Sequence, residues 1–497
     1  MINLGSGISV VDSAIILAYL AGVMFLGLWI GRGKQNLSDY LLGGRDLPWW
    51  ALLGSIVATE TSTATFLSVP GIAFAVDGDI TQGDMQFLQL PLGYIVGRCL
   101  VTVFLLPQYF RGELYTAYDV LERRFGGLTK QTASLVFLVT RNLGDGLRLF
   151  LTAIALKAAL NLSMEVSIVV IGIATIVYTY AGGMKSVVWN DCLQFVVYML
   201  GGVIALGVIV HLLPGGWSEL SLFAAENEKF RLFDFSLNWT DSFTFWAGLV
   251  GGMFLTLGTH GTDQMMVQRY LSARGQRDAG KALVLSGVVV FGQMALFLLV
   301  GVALACFYNA FPPETAFEKG DHVFATFIVD YMPKGVCGVT LAAVFAAAMS
   351  TLSSSLNSSA ASALNDLYVP HTARQLSPEQ SVAISRHLTI VFGLIQIGIA
   401  IGAQYLVESV VSDALAIAGF AAGLLLGVFA LGVVTRSVGQ RAALVGMLGG
   451  LMVLAGVKFG TSIAWPWYAV IGSLTTFGIG FVVSWVLGED ERTETTQ

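Results

Sequence analysis

Thirteen stretches of predominantly apolar residues, parted by short polar loops, run through this chain and fix what it can become. A helix rising 1.5 Å per residue needs about 20 such residues to cross a hydrocarbon core about 30 Å thick. The spans are expected near residues 11–31, 48–74, 84–106, 131–160, 163–181, 187–212, 243–263, 282–308, 335–364, 386–404, 410–433, 441–459 and 466–487. With 55% hydrophobic and 12% charged residues, the chain has the balance of an all-α polytopic membrane protein and not of a soluble domain. The first run is preceded by no Lys or Arg and followed by no A-x-A cleavage site, so it is expected to be retained as a helix. The four cysteines lie far apart in or beside apolar runs and show neither a disulfide framework nor a metal spacing.

The loops divide by charge. Arg32, Lys34 and Arg45 follow span 1, and Arg111, Arg123, Arg124 and Lys130 follow span 3. Lys185 follows span 5, and Arg269, Arg274, Arg277 and Lys281 follow span 7. Arg374 and Arg386 follow span 9, and Arg436 and Arg441 follow span 11. These alternate loops lie on one side, which the positive-inside rule makes cytoplasmic. The opposite loops are acidic or poor in cations, as in Val76-Asp-Gly-Asp-Ile80, and the longest, about 213–242, has only Lys229 and Arg231. The N-terminus is therefore expected outside and the tail GEDERTETTQ inside.

Spans 2 and 7 are interrupted. IVATETSTATFLSVPG places polar residues where the bilayer midplane falls, and GLVGGMFLTLGTHGTDQ is rich in glycine. Backbone freed at membrane depth is tolerated where it lines a cavity or a site. The two spans lie five apart, an odd number, so tandem five-helix units would be inverted relative to each other.

Within span 9, AAAMSTLSSSLN (residues 346–357) packs hydroxyls into an apolar helix. Ala347, Ser350, Thr351 and Ser354 follow i, i+3, i+4, i+7 and share one face. Small residues admit a close backbone, and neutral oxygens suit an alkali cation better than zinc. The same face also reads as serine glue between membrane helices. In TYAGGMKSVVWNDCLQ (residues 179–194), Gly182-Gly183 makes a turn and Asp191 re-enters the next span. A carboxylate there marks a functional site or a helix N-terminus stabilised by its dipole.

That segment carries the pattern GG-x3-V-x-W-x-D-x2-Q and resembles the sodium:solute symporter family. YTAYDVLERRF (115–125), TDQMMVQRY (262–270) and the serine helix are similar to the family as well, in the same order. The resemblance implies a LeuT-like 5+5 inverted repeat of about thirteen helices. Its parts would be a first helix and loop (1–47), a five-helix repeat (48–212), a loop (213–242), an inverted repeat (243–433), two further helices (434–487) and a tail (488–497). It implies sodium-coupled uptake of a small solute by a multi-pass monomer of the inner (plasma) membrane, embedded in lipid bilayer. No enzyme activity and no nucleic-acid partner are expected.

The pattern resembles most nearly that of bacterial sodium/sialic acid symporters. The resemblance assigns a main sodium site to the carbonyls of Ala58, Thr61 and Ala347 and the hydroxyls of Ser350 and Thr351. It assigns a second sodium to Ser350, Ser353, Ser354 and Asp191, and substrate contacts to Ser62, Thr65 and Gln86. The substrate arginine of that subfamily falls on Gly144, and Arg148 lies one turn on. Two roles stay open to Arg148: ligand of an organic anion, or partner of Asp145 at i−3. Glu60 stands in the broken helix, where it could bind a cationic or polyol substrate, pair with Arg148, take up a proton, or form an ion pair with a neighbouring helix. TDQ followed by VQR is similar to animal sodium/glucose cotransporters and keeps neutral sugars as an alternative, with an ion leak a distant one. His260 is expected as a polar helix-end residue, and Arg98 as a structural cation.

Overall fold

A computed structural model describes residues 8–32, 36–75, 79–160, 162–313, 317, 320–372, 376–406 and 410–488. Val76 to Gly78, Lys34, Arg374 and residues 489–497 of the tail lie outside the described residues. Among the described residues there is no strand, only an isolated bridge between Leu47 and Ala273.

The helices run α1 (Val10–Ile30), α2 (Trp49–Glu60), α3 (Thr63–Phe74), α4 (Gln89–Leu100), α5 (Asp119–Phe125), α6 (Gly127–Leu160) and α7 (Met164–Leu212). There follow α8 (Gly216–Glu226), α9 (Gly252–Gly261), α10 (Gln264–Leu271), α11 (Gln276–Ala310), α12 (Gly320–Tyr331) and α13 (Val336–Ser362). The last four are α14 (Pro378–Leu406), α15 (Val410–Val434), α16 (Gln440–Gly460) and α17 (Trp467–Val486).

Among the described residues nine helices are long and apolar enough to cross a membrane, and ten if the bent pair α2–α3 is one span. Two expected spans fall outside that count for physical reasons. α6 carries Arg141, Asp145 and Arg148 in mid-helix, and α9 stops after ten residues at Thr262. The 49 residues of α7 exceed one bilayer crossing by more than twofold. Gly183, at φ 55° and ψ −156°, breaks it where the sequence has Gly-Gly. An L side chain rarely takes that conformation, and a Cβ there would meet the Tyr40 carbonyl.

The axis bends by 61° between α2 and the latter part of α3. Thr61 and Ser62 leave the helical region, at ψ 108° and 173°. Pro70 inside α3 removes a further ladder donor. α11 comes so close that a Cβ on Gly301 would meet the Pro70 carbonyl at 2.0 Å. α13 lies at the centre of the molecule, with every described residue from Thr340 to Ser362 buried. Asp12 of α1 staples the N-terminal end of α13, accepting hydrogen bonds from the amides of Gly335 and Gly338 at 2.7 and 2.8 Å.

Candidate functional site

The hydroxyl face of α13 meets the break between α2 and α3. Ser350 donates to the Ala58 carbonyl at 2.8 Å and lies 3.1 Å from the Ala347 carbonyl. Thr351 donates to the Thr59 carbonyl at 2.9 Å and lies 3.4 Å from the carbonyls of Thr61 and Ala347. The five expected oxygens thus converge in one buried place, and the Thr59 carbonyl joins them. The helix supplies carbonyls only because its ladder ends there: the last turn of an interrupted helix leaves acceptors unpaired. Neutral oxygens without nitrogen or sulfur fit an alkali cation. The Thr59 carbonyl was not among those the resemblance assigned.

Around Asp191 the arrangement differs from expectation. Its Oδ2 accepts from Ser55 at 2.5 Å and from the guanidinium of Arg269 at 3.0 Å. Arg269 also donates to Ser354, Thr59 and the Met265 carbonyl. Ser354 lies 3.1 Å from Thr59 and donates to the Ser350 carbonyl at 2.7 Å. Ser353 turns to the Ser350 carbonyl at 3.2 Å, with no hydrogen bond to Asp191 among the described residues. Arg269, grouped in sequence with the loop cations, is 1% exposed and reaches back into the bundle. A buried carboxylate requires a compensating charge, and the guanidinium supplies it. Asp191 Oδ1 stays without a hydrogen-bond partner among the described residues.

Glu60 closes α2 and pairs with Arg98 of α4. His260 Nε2 lies 3.6 Å away, and Arg98 also donates to Ser286 at 2.8 Å. Of the roles open to Glu60, the ion pair with a neighbouring helix is realised and the pairing with Arg148 is not. His260 sits in the last turn of α9, as expected of a polar helix-end residue.

Arg148 pairs with Asp145 at 2.5 Å. Arg141 pairs with Asp263, at the start of α10, and lies 3.8 Å from Asp145. Arg141, Gly144 and Arg148 line one recess between α6, α9 and α15, closed by Gly258, Thr259 and Asp263 and by Ala418 and Ala422. Sequence reasoning missed Arg141, although Arg141, Asp145 and Arg148 follow i, i+4, i+7 and so share a face. Ser62, Thr65 and Gln86 do not line this recess. Ser62 heads α3 with no side-chain cap bond, and Gln86 lies in the single turn just before α4. Thr63, between Ser62 and Thr65, bonds Thr152 of α6 at 2.8 Å and ties the break to the arginine helix.

On the side of the longest loop, Lys229 is buried and its ammonium meets the last carbonyls of α3, Ala73 at 3.3 Å and Phe74 at 3.0 Å. Burial pushes the lysine down to about 8, against the attraction of Asp84 and Asp79.

The profile described as the sodium:solute symporter family matches residues 40–450. A sodium/sialic acid symporter of Aliivibrio fischeri, NanT, is 31% identical over 479 residues, covering 94% of this chain and 92% of that protein. The human sodium/iodide cotransporter is 30% identical, covering 89% of this chain and 68% of that protein. The solved substrate-bound, outward-open state of a Na+-coupled sialic acid symporter superposes with a TM-score of 0.87 at 28% identity, covering 96% of this chain and 98% of that one.

Proposed function

Because this chain belongs to the sodium:solute symporter family, and so couples solute transport to sodium, we propose that its solute is a small organic anion, a carboxylate of the sialic acid kind. One observation carries the reading. Arg148 is the most open charge of the recess, 21% exposed, while its partner Asp145 is 0% exposed; Arg141 and Asp263, paired with each other, are 14% and 12% exposed. An incoming carboxylate meets guanidinium edges that offer bidentate hydrogen bonds. The relatives named above are symporters of sialic acid and of iodide, which are also anions. Ser62, Thr65 and Gln86, outside the recess, would contact only parts of the solute that extend beyond it, while Glu60 stays paired with Arg98.

In this reading the main sodium lies among the carbonyls of Ala58, Thr61 and Ala347 and the hydroxyls of Ser350 and Thr351. A second ion would use Asp191 through its open Oδ1, with Ser350, Ser353 and Ser354. Sodium joins the broken helix to α13, favours one state of the transporter and so presents the break to the solute. At 100 mV each inward sodium gains about 2.3 kcal/mol, so two gain about 4.6 kcal/mol before any concentration term.

The charge pattern and the doubling of α7 support thirteen spans arranged as two inverted five-helix repeats, 48–212 and 243–433. They support an outer N-terminus, a cytoplasmic C-terminus and a plasma-membrane location, and the protein would act as a monomer in the bilayer. A neutral, sugar-like solute is the second reading, favoured by the pairing of each arginine with an aspartate. Counterflow in proteoliposomes decides between them. Sialic acid or another carboxylate should exchange in a sodium-dependent way. Exchange of a neutral sugar with no response to carboxylates would overturn the anion reading.

A further inference from the structure

Thr61 offers a carbonyl to the proposed sodium site, and its side chain is held from the opposite side. Its hydroxyl donates to the Val57 carbonyl at 2.8 Å, the acceptor that also takes the Thr61 amide. The same hydroxyl accepts from Gln293 Nε2 of α11 at 2.8 Å. Tyr198 of α7 donates to Gln293 Oε1 at 3.1 Å and lies 3.2 Å from the Thr61 hydroxyl. With Tyr198 and Gln293 Nε2 as donors the chain runs Tyr198 to Gln293 to Thr61 to Val57, and the Thr61 hydroxyl lies 3.0 Å from Gln293 Oε1 as well. All three side chains are buried, at 0–1% exposure. A glutamine in such a chain has its amide orientation dictated by its neighbours, and a one-sided loss leaves a buried polar group unsatisfied.

From this geometry we infer that Gln293 is a positioning residue for sodium. It fixes the Thr61 side chain, and with it the frame in which the Thr61 carbonyl leaves the helix at ψ 108° and points toward Thr351. Without Gln293 the threonine keeps the bond to its own helix and the longer contact to Tyr198 at 3.2 Å, and the chain is freer to rotate at the break. The carbonyl then spends less time aimed at the ion. The relay also connects the sodium position to α11 and α7, two helices that contribute no ligand to the main site. The inference rests on the assignment of that site.

The test is sodium-dependent uptake in proteoliposomes by Gln293→Leu, beside Thr61→Val as a second variant that removes the same bond from the other end. Each should raise the sodium concentration for half-maximal uptake about tenfold, the loss of one buried hydrogen bond. The double variant should go no further, because both remove one interaction. Half-saturation by solute at saturating sodium should stay in place for Gln293→Leu. A purely structural glutamine would lower the melting temperature and the maximal rate while leaving the sodium curve where it is, and that result overturns the inference. Ser350→Ala/Thr351→Ala runs in the same assay. If that pair shifts the curve and Gln293→Leu does not, the positioning role alone fails. If neither shifts it, the sodium site fails and the positioning role with it.

Discussion

Replacing Ser350 and Thr351 together by alanine removes two of the five oxygens assigned to the main sodium. A hydrogen-bond-strength contact to a charge contributes about 1.5–3 kcal/mol. The sodium-free state loses something too, since these hydroxyls donate to the Ala58 and Thr59 carbonyls at 2.8 and 2.9 Å. Taking about 0.5–1 kcal/mol for each of those neutral bonds leaves a net of about 1–2 kcal/mol per hydroxyl, or about 2–4 kcal/mol for the pair. At about 1.36 kcal/mol per decade, sodium half-saturation should rise about 30- to 900-fold. Folding should survive, because alanine fits a face already built of small residues. The assay is uptake against sodium at constant ionic strength, with choline as the replacement cation and Thr351→Ser as the variant that keeps a hydroxyl. A sodium curve within twofold of the parent's would refute the assignment.

Three further outcomes are expected. Arg148→Gln should abolish carboxylate uptake while sodium still raises the melting temperature; if instead Arg148→Leu/Asp145→Leu transports well, the pair is structural and the solute neutral. Asp191→Asn should lower the Hill coefficient for sodium toward one, and a parent coefficient already at one would remove the second ion. Lys229, lowered from 10.5 to about 8, carries a cost while it is charged. The folded chain sheds that proton first, so stability should climb with pH between about 8 and 10.5. Lys229→Met should flatten that rise in a melting-temperature series, and a flat parent curve would count against the buried ammonium.

Much of this was legible because membrane folds write their constraints locally. Apolar runs became helices, the Thr-Glu-Thr-Ser-Thr stretch became the break at Thr61 and Ser62, and Gly182-Gly183 became the kink in α7. The hydroxyl face of α13 followed from helical spacing alone. What stayed hidden depends on partners distant in the chain. Arg269 read as a loop cation because it follows an apolar run, yet Asp191, 78 residues away, draws it inward. Arg141 finds its carboxylate 122 residues on, at Asp263. The amphipathic helices α8 and α12, in loops between spans, were too short and too polar to stand out against the apolar runs around them.

The staple made by Asp12 bears on how such a protein is built. Its amide partner Gly335 is synthesised 323 residues later. At about 5–20 residues per second, the ribosome takes roughly 16–65 s to deliver it. Throughout that interval the nascent first helix holds a carboxylate near the membrane with no partner from α13, so its final seat is fixed only when the serine helix inserts. Until then Asp12 keeps only the bonds from the amide and hydroxyl of Ser9, within its own first turn.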